Sequence, residues 1–102
     1  MSKRVSFNDL INGNTPVLVE FSAEWCGPCK AMKPILKEVS KKIGDKARII
    51  KIDVDKNRAV AGKMGVRAVP TFILFKKGKS VWREPGMQSA YQLTSIIEQY
   101  SD

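Results

Sequence analysis

The chain of 102 residues contains no histidine. Histidine is the commonest metal ligand and the usual general base, so its absence argues against most metal sites and against every Cys–His or Ser–His triad. Any acid–base chemistry therefore falls to a carboxylate, a lysine or a thiol. We expect the chain itself to hold neither a metal nor a cofactor.

Long apolar runs are also absent, and none of the hydrophobic stretches could span a membrane. The basic start, Met1 to Ser6, has no apolar region behind it of the kind that marks a secretory signal. We therefore expect a protein that associates with no membrane and stays in the cytoplasm. Its length and its 43% of hydrophobic residues fit one globular domain, residues 1–102.

Acidic residues are scarce beside basic ones, 10 against 18, which gives a net charge of +8. Two interpretations of this charge stay open: a like-charged surface that maintains solubility, and attraction to acidic partner proteins. The lysines are scattered and form no basic cluster interleaved with aromatic residues. A nucleic-acid partner is therefore not expected.

Only two cysteines are present, Cys26 and Cys29. A disulfide between them closes a very small loop and adds little stability through loop entropy. A secreted domain held together by disulfides would carry more cysteines at wider spacing. The pair is therefore predicted to be chemical rather than structural, with half of a zinc site shared between two chains, or an inert pair, as the remaining alternatives.

The hydrophobic pattern alternates between helical and strand periodicity in the order α-β-α-β-α-β-β-α, an α/β class of fold. Strands that are apolar on both faces predict a parallel sheet covered by helices, with an antiparallel hairpin at its end. The predicted helices are 7–11, 26–43, 58–64 and 89–100, and the predicted strands are 17–22, 47–54, 71–76 and 80–83.

The two cysteines fall where the first strand ends and the long helix begins. Residues three apart on a helix are about 5–6 Å apart, and a disulfide needs Cα atoms about 4.4–6.8 Å apart. Free amides and the positive dipole end at a helix start favour a thiolate, which is the nucleophilic form. We therefore assign attack to Cys26, expected to be exposed, and resolution of the mixed disulfide to Cys29, expected to be more buried.

Two blocks of sequence resemble the thioredoxin family: 17–30, which ends in Trp-Cys-Gly-Pro-Cys-Lys, and 65–78, which contains Val69-Pro70. The resemblance extends from about Phe7 to Tyr100. It implies the thioredoxin fold, with a mixed sheet of four to five strands between helices, a C-terminal antiparallel hairpin and a closing helix. It also implies a protein-disulfide reductase that cycles between dithiol and disulfide at Cys26 and Cys29.

The same resemblance implies a cis peptide bond between Val69 and Pro70, in a loop that faces the cysteines. Val69 would then offer its backbone to an extended substrate strand. Gly86 would permit close approach of a partner, although a simple turn glycine remains the alternative. The docking surface implied by the resemblance consists of Trp25, Gly27, Pro28, Val69, Pro70 and Gly86.

Glu20 stands where the family usually has a buried aspartate. Because the surrounding strand is apolar, we expect Glu20 to be buried with a raised pKa, and it is a candidate acceptor for the Cys29 proton. Lys51 matches the family's buried lysine and is a candidate partner of Glu20; a satisfied ion pair without proton transfer is the alternative. Ser22 replaces a common tryptophan, so looser packing is expected there, and Arg4 to Ser6 form at most a vestigial first edge strand.

The partners implied by the resemblance are disulfide-containing proteins as substrates and a flavin-containing thioredoxin reductase as electron donor, acting with a monomer. The alternative function is a non-catalytic subunit or redox-state sensor that binds a partner through the same docking surface. Activity in a disulfide-reduction assay distinguishes the two.

Overall fold

The computed structural model describes residues 6–101. Every predicted helix and strand is present, with bounds that agree to within two residues. The elements are α1 (Phe7–Ile11), β1 (Val17–Ser22), α2 (Gly27–Ile43), a short 3-10 turn (Gly44–Lys46), β2 (Arg48–Asp53), α3 (Arg58–Lys63), β3 (Thr71–Lys76), β4 (Lys79–Pro85) and α4 (Ala90–Tyr100).

The four strands form one mixed sheet in the order β2-β1-β3-β4. β1 is parallel to β2 and antiparallel to β3, and β3 forms an antiparallel hairpin with β4. The mixed sheet implied by the family resemblance is therefore confirmed. The parallel arrangement inferred from periodicity is wrong for β3, because an apolar pattern on both faces marks a covered strand without fixing its direction.

Each face of the sheet is covered by helices. Alternate side chains of a strand point to opposite faces, so Leu18 and Glu20 share one face of β1 while Val19 and Phe21 share the other. The Leu18 face packs against α2 and α4, and the Val19 face packs against α1 and α3. Burial on both faces explains why β1 is apolar along almost its whole length.

Residues just outside the helices fix where they begin. Ser6 caps α1 through a reciprocal capping box with Asp9, so it forms no strand, and the other residues of the expected edge strand lie outside the described range. Cys26 precedes α2 in extended conformation and caps it with its sulfur. Within residues 6–101, no helix is long and apolar enough to cross a membrane.

Candidate active site

Cys26 and Cys29 form a disulfide at the start of α2, with Cα atoms 5.3 Å apart. The Cys29 amide donates a hydrogen bond to Cys26 Sγ at 3.1 Å. Cys26 is therefore the N-cap of α2, and its sulfur accepts from one of the free amides of the first helical turn. In the reduced chain this amide and the helix dipole would favour a thiolate on Cys26.

The two cysteines do not differ in exposure, since each is only 3% exposed. The expectation that Cys26 is the exposed member of the pair is therefore wrong for the disulfide form. The prediction of an exposed Cys26 used only its position at the helix start. In the folded chain, the loop that carries Val69, from a distant part of the sequence, packs over the sulfur. Cys26 Sγ lies 3.6 Å from the carbonyl oxygen of Val69.

The Val69–Pro70 peptide bond is cis, as the resemblance implied. Gly86 lies beside this bond, and its amide donates to the Pro70 carbonyl at 2.7 Å. Gly86 has a φ of 85°, a conformation that favours glycine, so the turn itself requires this residue. Of the predicted docking residues, Gly86 and Val69 are partly buried, Pro70 is buried, and Gly27 and Pro28 are exposed.

Trp25, which directly precedes Cys26, is an exposed large hydrophobic residue, at 71%. Its indole N–H donates to Asp55 at 2.9 Å, and the Asp55 amide donates to the carboxylate of Asp53 at 2.8 Å. Asp55 was not predicted from the sequence, although it lies two residues after β2, which ends at the same edge of the sheet as β1. A groove of about 360 Å³ extends from the indole; its lining residues are Trp25, Val54, Val66, Arg67, Ala68 and Val69.

The segment that carries Val69 is held by two further side chains, neither of which was predicted from the sequence. Arg83 of β4 donates to the carbonyl oxygens of Met64 and Gly65, just after α3. Thr71 donates to the Ala68 carbonyl at 2.6 Å. No local pattern marks an arginine that reaches another segment, so only the folded chain reveals this anchor.

Glu20 is fully buried, and neither of its carboxylate oxygens has a hydrogen-bond partner. Desolvation by burial raises the pKa of Glu20, and the positive charge of Lys51 partly opposes that rise. Lys51 is opposite Glu20 in the parallel register, but its side chain is exposed. The expected buried lysine and the alternative of a satisfied ion pair are therefore both wrong in this structure.

A cavity of about 340 Å³ lies on the inner side of the cysteine pair. It reaches Cys29 but not Cys26, and Ser22 forms part of its wall, where looser packing was expected. Ser22 lies on the same face of β1 as Glu20. The remaining lining residues are Ala23, Glu24, Lys30, Lys33, Lys51 and Asp53.

Within residues 6–101, no three His, Cys, Asp or Glu side chains are grouped so that they could hold a metal ion. The half zinc site considered from the sequence would need its other ligands from a second chain. The described site is a cysteine pair with a helix amide on one sulfur and a backbone carbonyl near that sulfur. The buried carboxyl of Glu20 lies on the face of β1 that also carries Ser22, a wall residue of the cavity at Cys29.

The thioredoxin family model matches residues 1–99. A thioredoxin from Haemophilus influenzae is 37% identical over 106 residues, which cover 98% of this chain and 99% of that protein. The chloroplastic thioredoxin Y of Oryza sativa subsp. japonica is 49% identical over 94 residues, 91% of this chain. Those residues are 56% of the rice protein, so the chain spans just over half the length of that relative.

Solved structures agree with the sequence comparisons. Thioredoxin NaTrxh from Nicotiana alata superposes with a TM-score of 0.84 at 40% identity, over 94% of this chain and 82% of that one. A mutant thioredoxin from Halobacterium salinarum gives a TM-score of 0.84 at 39% identity, over 93% and 82% of the two chains. The fold and the site thus define the class: a thioredoxin-like fold with a cysteine pair that can form a disulfide. The chain belongs to the thioredoxin family.

Proposed function

We propose that the chain is a protein-disulfide reductase that uses Cys26 and Cys29 as a dithiol–disulfide couple. The observation that carries this proposal is the Cys29 amide directed at Cys26 Sγ, within a pair whose Cα atoms are 5.3 Å apart. One sulfur is thus placed where a thiolate is favoured, and the second is close enough to close the disulfide with little backbone movement.

The reaction consists of two thiol–disulfide exchanges. The Cys26 thiolate attacks one sulfur of a substrate disulfide, a mixed disulfide forms, and the other substrate sulfur leaves as a thiolate that takes a proton. Cys29 then loses its proton and attacks Cys26 Sγ, which releases the second substrate thiolate. The second leaving thiolate also takes a proton, so the substrate gains two electrons and two protons in total. Counted from its dithiol form, the cysteine pair loses two electrons and two protons, one of which went to solvent when Cys26 ionised.

Substrate docking is assigned to the surface around the cis bond. Val69 is next to the reacting sulfur, so an extended substrate strand pairing with its backbone would bring a substrate disulfide to Cys26. Trp25 adds exposed apolar area at the edge of the groove, and Gly27 and Pro28 leave the approach to the cysteines uncrowded. Pro70 and Gly86, joined by their backbone hydrogen bond, complete this surface.

Glu20 is proposed to accept the Cys29 proton during the second exchange. Burial raises the pKa of Glu20, so the pKa moves toward the neutral pH at which the protein works. A proton acceptor is most effective when its pKa lies near the working pH. The cavity that reaches Cys29 is lined by Ser22, on the same face of β1 as Glu20, but not by Glu20 itself. The proton would therefore pass directly or through water between Cys29 and Glu20, and the positive charge of Lys51, opposite Glu20, lowers the pKa of the carboxyl.

The test of this role is Glu20→Gln, which removes the titratable group and keeps the side-chain size. Resolution of a preformed mixed disulfide should become slower and lose its pH dependence around neutrality in this variant. Glu24→Gln, at the exposed mouth of the same cavity, is the matched control. An unchanged resolution rate across neutral pH would remove the proton-transfer role from Glu20.

The wider setting follows from the family. A flavin-containing thioredoxin reductase is the proposed electron donor, disulfide-containing proteins are the proposed substrates, and the working unit is a monomer of one domain. The cytoplasm remains the proposed location, although the rice relative is a chloroplastic protein by name. Affinity purification of the chain from a cytoplasmic extract tests the donor and the location together. The chain should copurify with a flavoprotein that reduces its disulfide.

A Cys29→Ser variant tests the proposal as a whole. It should accumulate mixed disulfides through Cys26 when mixed with oxidised protein substrates, and mass spectrometry should identify the linked cysteine. Cys26→Ser is the matched control and should trap nothing. If the wild-type chain binds such proteins but reduces none of them, the non-catalytic subunit or sensor replaces the reductase.

A further inference from the structure

Four lysines lie along the exposed side of α2. Lys30, Lys33, Lys37 and Lys41 recur at intervals of three or four residues, so they share one side of the helix, and all four are exposed. At 1.5 Å of rise per residue they extend over about 16 Å. We refer to Lys30, Lys33, Lys37 and Lys41 as the α2 lysine stripe.

The stripe differs from the other lysines around it in having no acidic partner. Neighbouring lysines are paired: Lys42 with Glu38 at 3.3 Å and Lys46 with Glu98 at 3.5 Å. Among the described residues, no carboxylate lies within ion-pair distance of any lysine of the stripe. Its positive charge is therefore not neutralised by the chain's own side chains.

The stripe begins at the active site. Lys30 directly follows Cys29, and both Lys30 and Lys33 line the cavity that reaches Cys29. Of the two acidic residues at that cavity, Glu24 pairs with Lys56 at 3.1 Å, and the Asp53 carboxylate is held by two backbone amides and keeps its charge. The row of unpaired lysines therefore begins next to Cys29 and continues along the exposed side of α2.

We propose that the α2 lysine stripe docks an acidic surface of the proteins whose disulfides Cys26 reduces, an inference that rests on the proposed reductase function. Unpaired charges of one sign raise the rate of encounter with an oppositely charged partner and orient it. A partner whose acidic side chains lie along α2 has its own disulfide delivered to the cysteine end of the helix.

An acidic protein fits this stripe better than a nucleic acid does. The stripe contains only lysines, without the arginines and stacking aromatics that nucleic-acid surfaces combine. Its continuity with the cysteine pair also matters, because a docked protein can present a disulfide there and a nucleic acid has none. Protein docking is therefore the interpretation that uses both the charge and its position.

The test compares two double variants that each remove two charges from the net +8. Lys37→Gln/Lys41→Gln weakens the stripe at a distance from the cysteines and the cavity. Lys77→Gln/Lys79→Gln is the matched control, since Lys77 lies in the hairpin turn between β3 and β4, Lys79 begins β4, and neither lies on α2. The prereduced proteins are mixed with disulfide-cyclised peptides that carry a glutamate-rich, a serine-rich or a lysine-rich tail.

The second-order rate constant for peptide reduction is measured at low and high salt. With the glutamate tail at low salt, the stripe variant should react about three- to tenfold more slowly than the wild type and the control variant. The three proteins should converge at high salt, where the Debye length is about 3 Å at 1 M. With the serine tail they should react alike at both salt concentrations.

Other outcomes overturn the inference in distinguishable ways. Equal slowing of the two double variants would assign the effect to net charge rather than to the stripe, and no slowing would refute the stripe. A wild type that reduces no peptide refutes the reductase function together with the stripe. If the stripe variant loses affinity for labelled duplex DNA, with unchanged peptide rates, the stripe is a nucleic-acid surface instead.

Discussion

The two sides of the Cys26–Cys29 pair are built differently. On the outer side, the polar groups around Val69 are joined to one another: the Gly86 amide bonds to Pro70, and the Trp25 indole bonds to Asp55. On the inner side, Glu20 is fully buried with no hydrogen-bond partner on either carboxylate oxygen. The outer side is a satisfied backbone scaffold, whereas the inner side contains an isolated ionisable group.

This difference indicates which side the fold needs and which side the chemistry needs. Satisfied hydrogen bonds hold the docking surface in place and cost the fold nothing unusual. A buried carboxyl without partners destabilises the native state, and such groups concentrate at functional sites. The buried Glu20 carboxyl therefore lowers the stability of the fold, and the proposed transfer of the Cys29 proton to it is the function that would explain its presence.

Replacing the sulfur of Cys26, the one that contacts Val69 on the outer side, should have the largest effect on activity. Cys26→Ser should abolish disulfide reduction, because a serine hydroxyl is not ionised near neutral pH and cannot form a disulfide. Stoichiometric reduction of a neutral disulfide peptide by the prereduced protein is the measurement. Cys29→Ser should also complete no reduction, but it should still form one mixed disulfide per chain. A Cys29→Ser variant that forms no mixed disulfide would contradict the unequal roles of the cysteines.

Removing the inner carboxyl should raise stability. Glu20→Leu should increase the free energy of unfolding near neutral pH by about 1–3 kcal/mol, because an unpartnered buried polar group is replaced by an apolar one. Urea unfolding measures this change. Glu38→Leu is the matched control, an exposed glutamate on α2 that pairs with Lys42, and it should not stabilise the chain.

The same carboxyl sets a pH dependence of stability. Because its pKa is raised in the folded chain from an ordinary value of 4.5, the folded state binds the Glu20 proton more tightly than the unfolded chain does. Its stabilising contribution is fully present below pH 4.5 and is lost as the pH rises through the folded pKa. Glu20→Gln should show no such loss in unfolding experiments across this range, and parallel curves for the two proteins would contradict the raised pKa.

The hydrogen bond of the outer side that lies closest to solvent should matter least. Asp55→Ala frees the Trp25 indole and should lower the rate of peptide reduction only about two- to threefold, since a solvent-exposed hydrogen bond lies at the low end of the usual net contribution, about 0.5 kcal/mol. Asp45→Ala, in the exposed turn after α2, is the control and should leave the rate unchanged. A loss as large as that of Cys26→Ser would show that the outer side is far less robust than its bonding implies.

Local patterns predicted more of the fold than of the site. Periodicity and turn residues located α1, β1 and β3 at their observed bounds, because helix and strand periods are properties of short segments. The direction of β3 and the exposure of Lys51 were predicted wrongly. Both depend on segments that are distant in sequence, and no local pattern records them.

The sequence by itself determined the cysteine pair, its place at the start of α2 and the unusual acid in β1, since each follows from residue type and spacing. Only the tertiary structure decided that Cys26 is buried under Val69, that Asp55 holds Trp25 and that Glu20 stays without a partner. The physical reason is the sequence distance over which each property is set. The chemistry of a helix start depends on a single turn of the chain. Burial and hydrogen-bond partners depend on β2, on β4 and on the loop that precedes β3, which meet around that turn only in the folded chain.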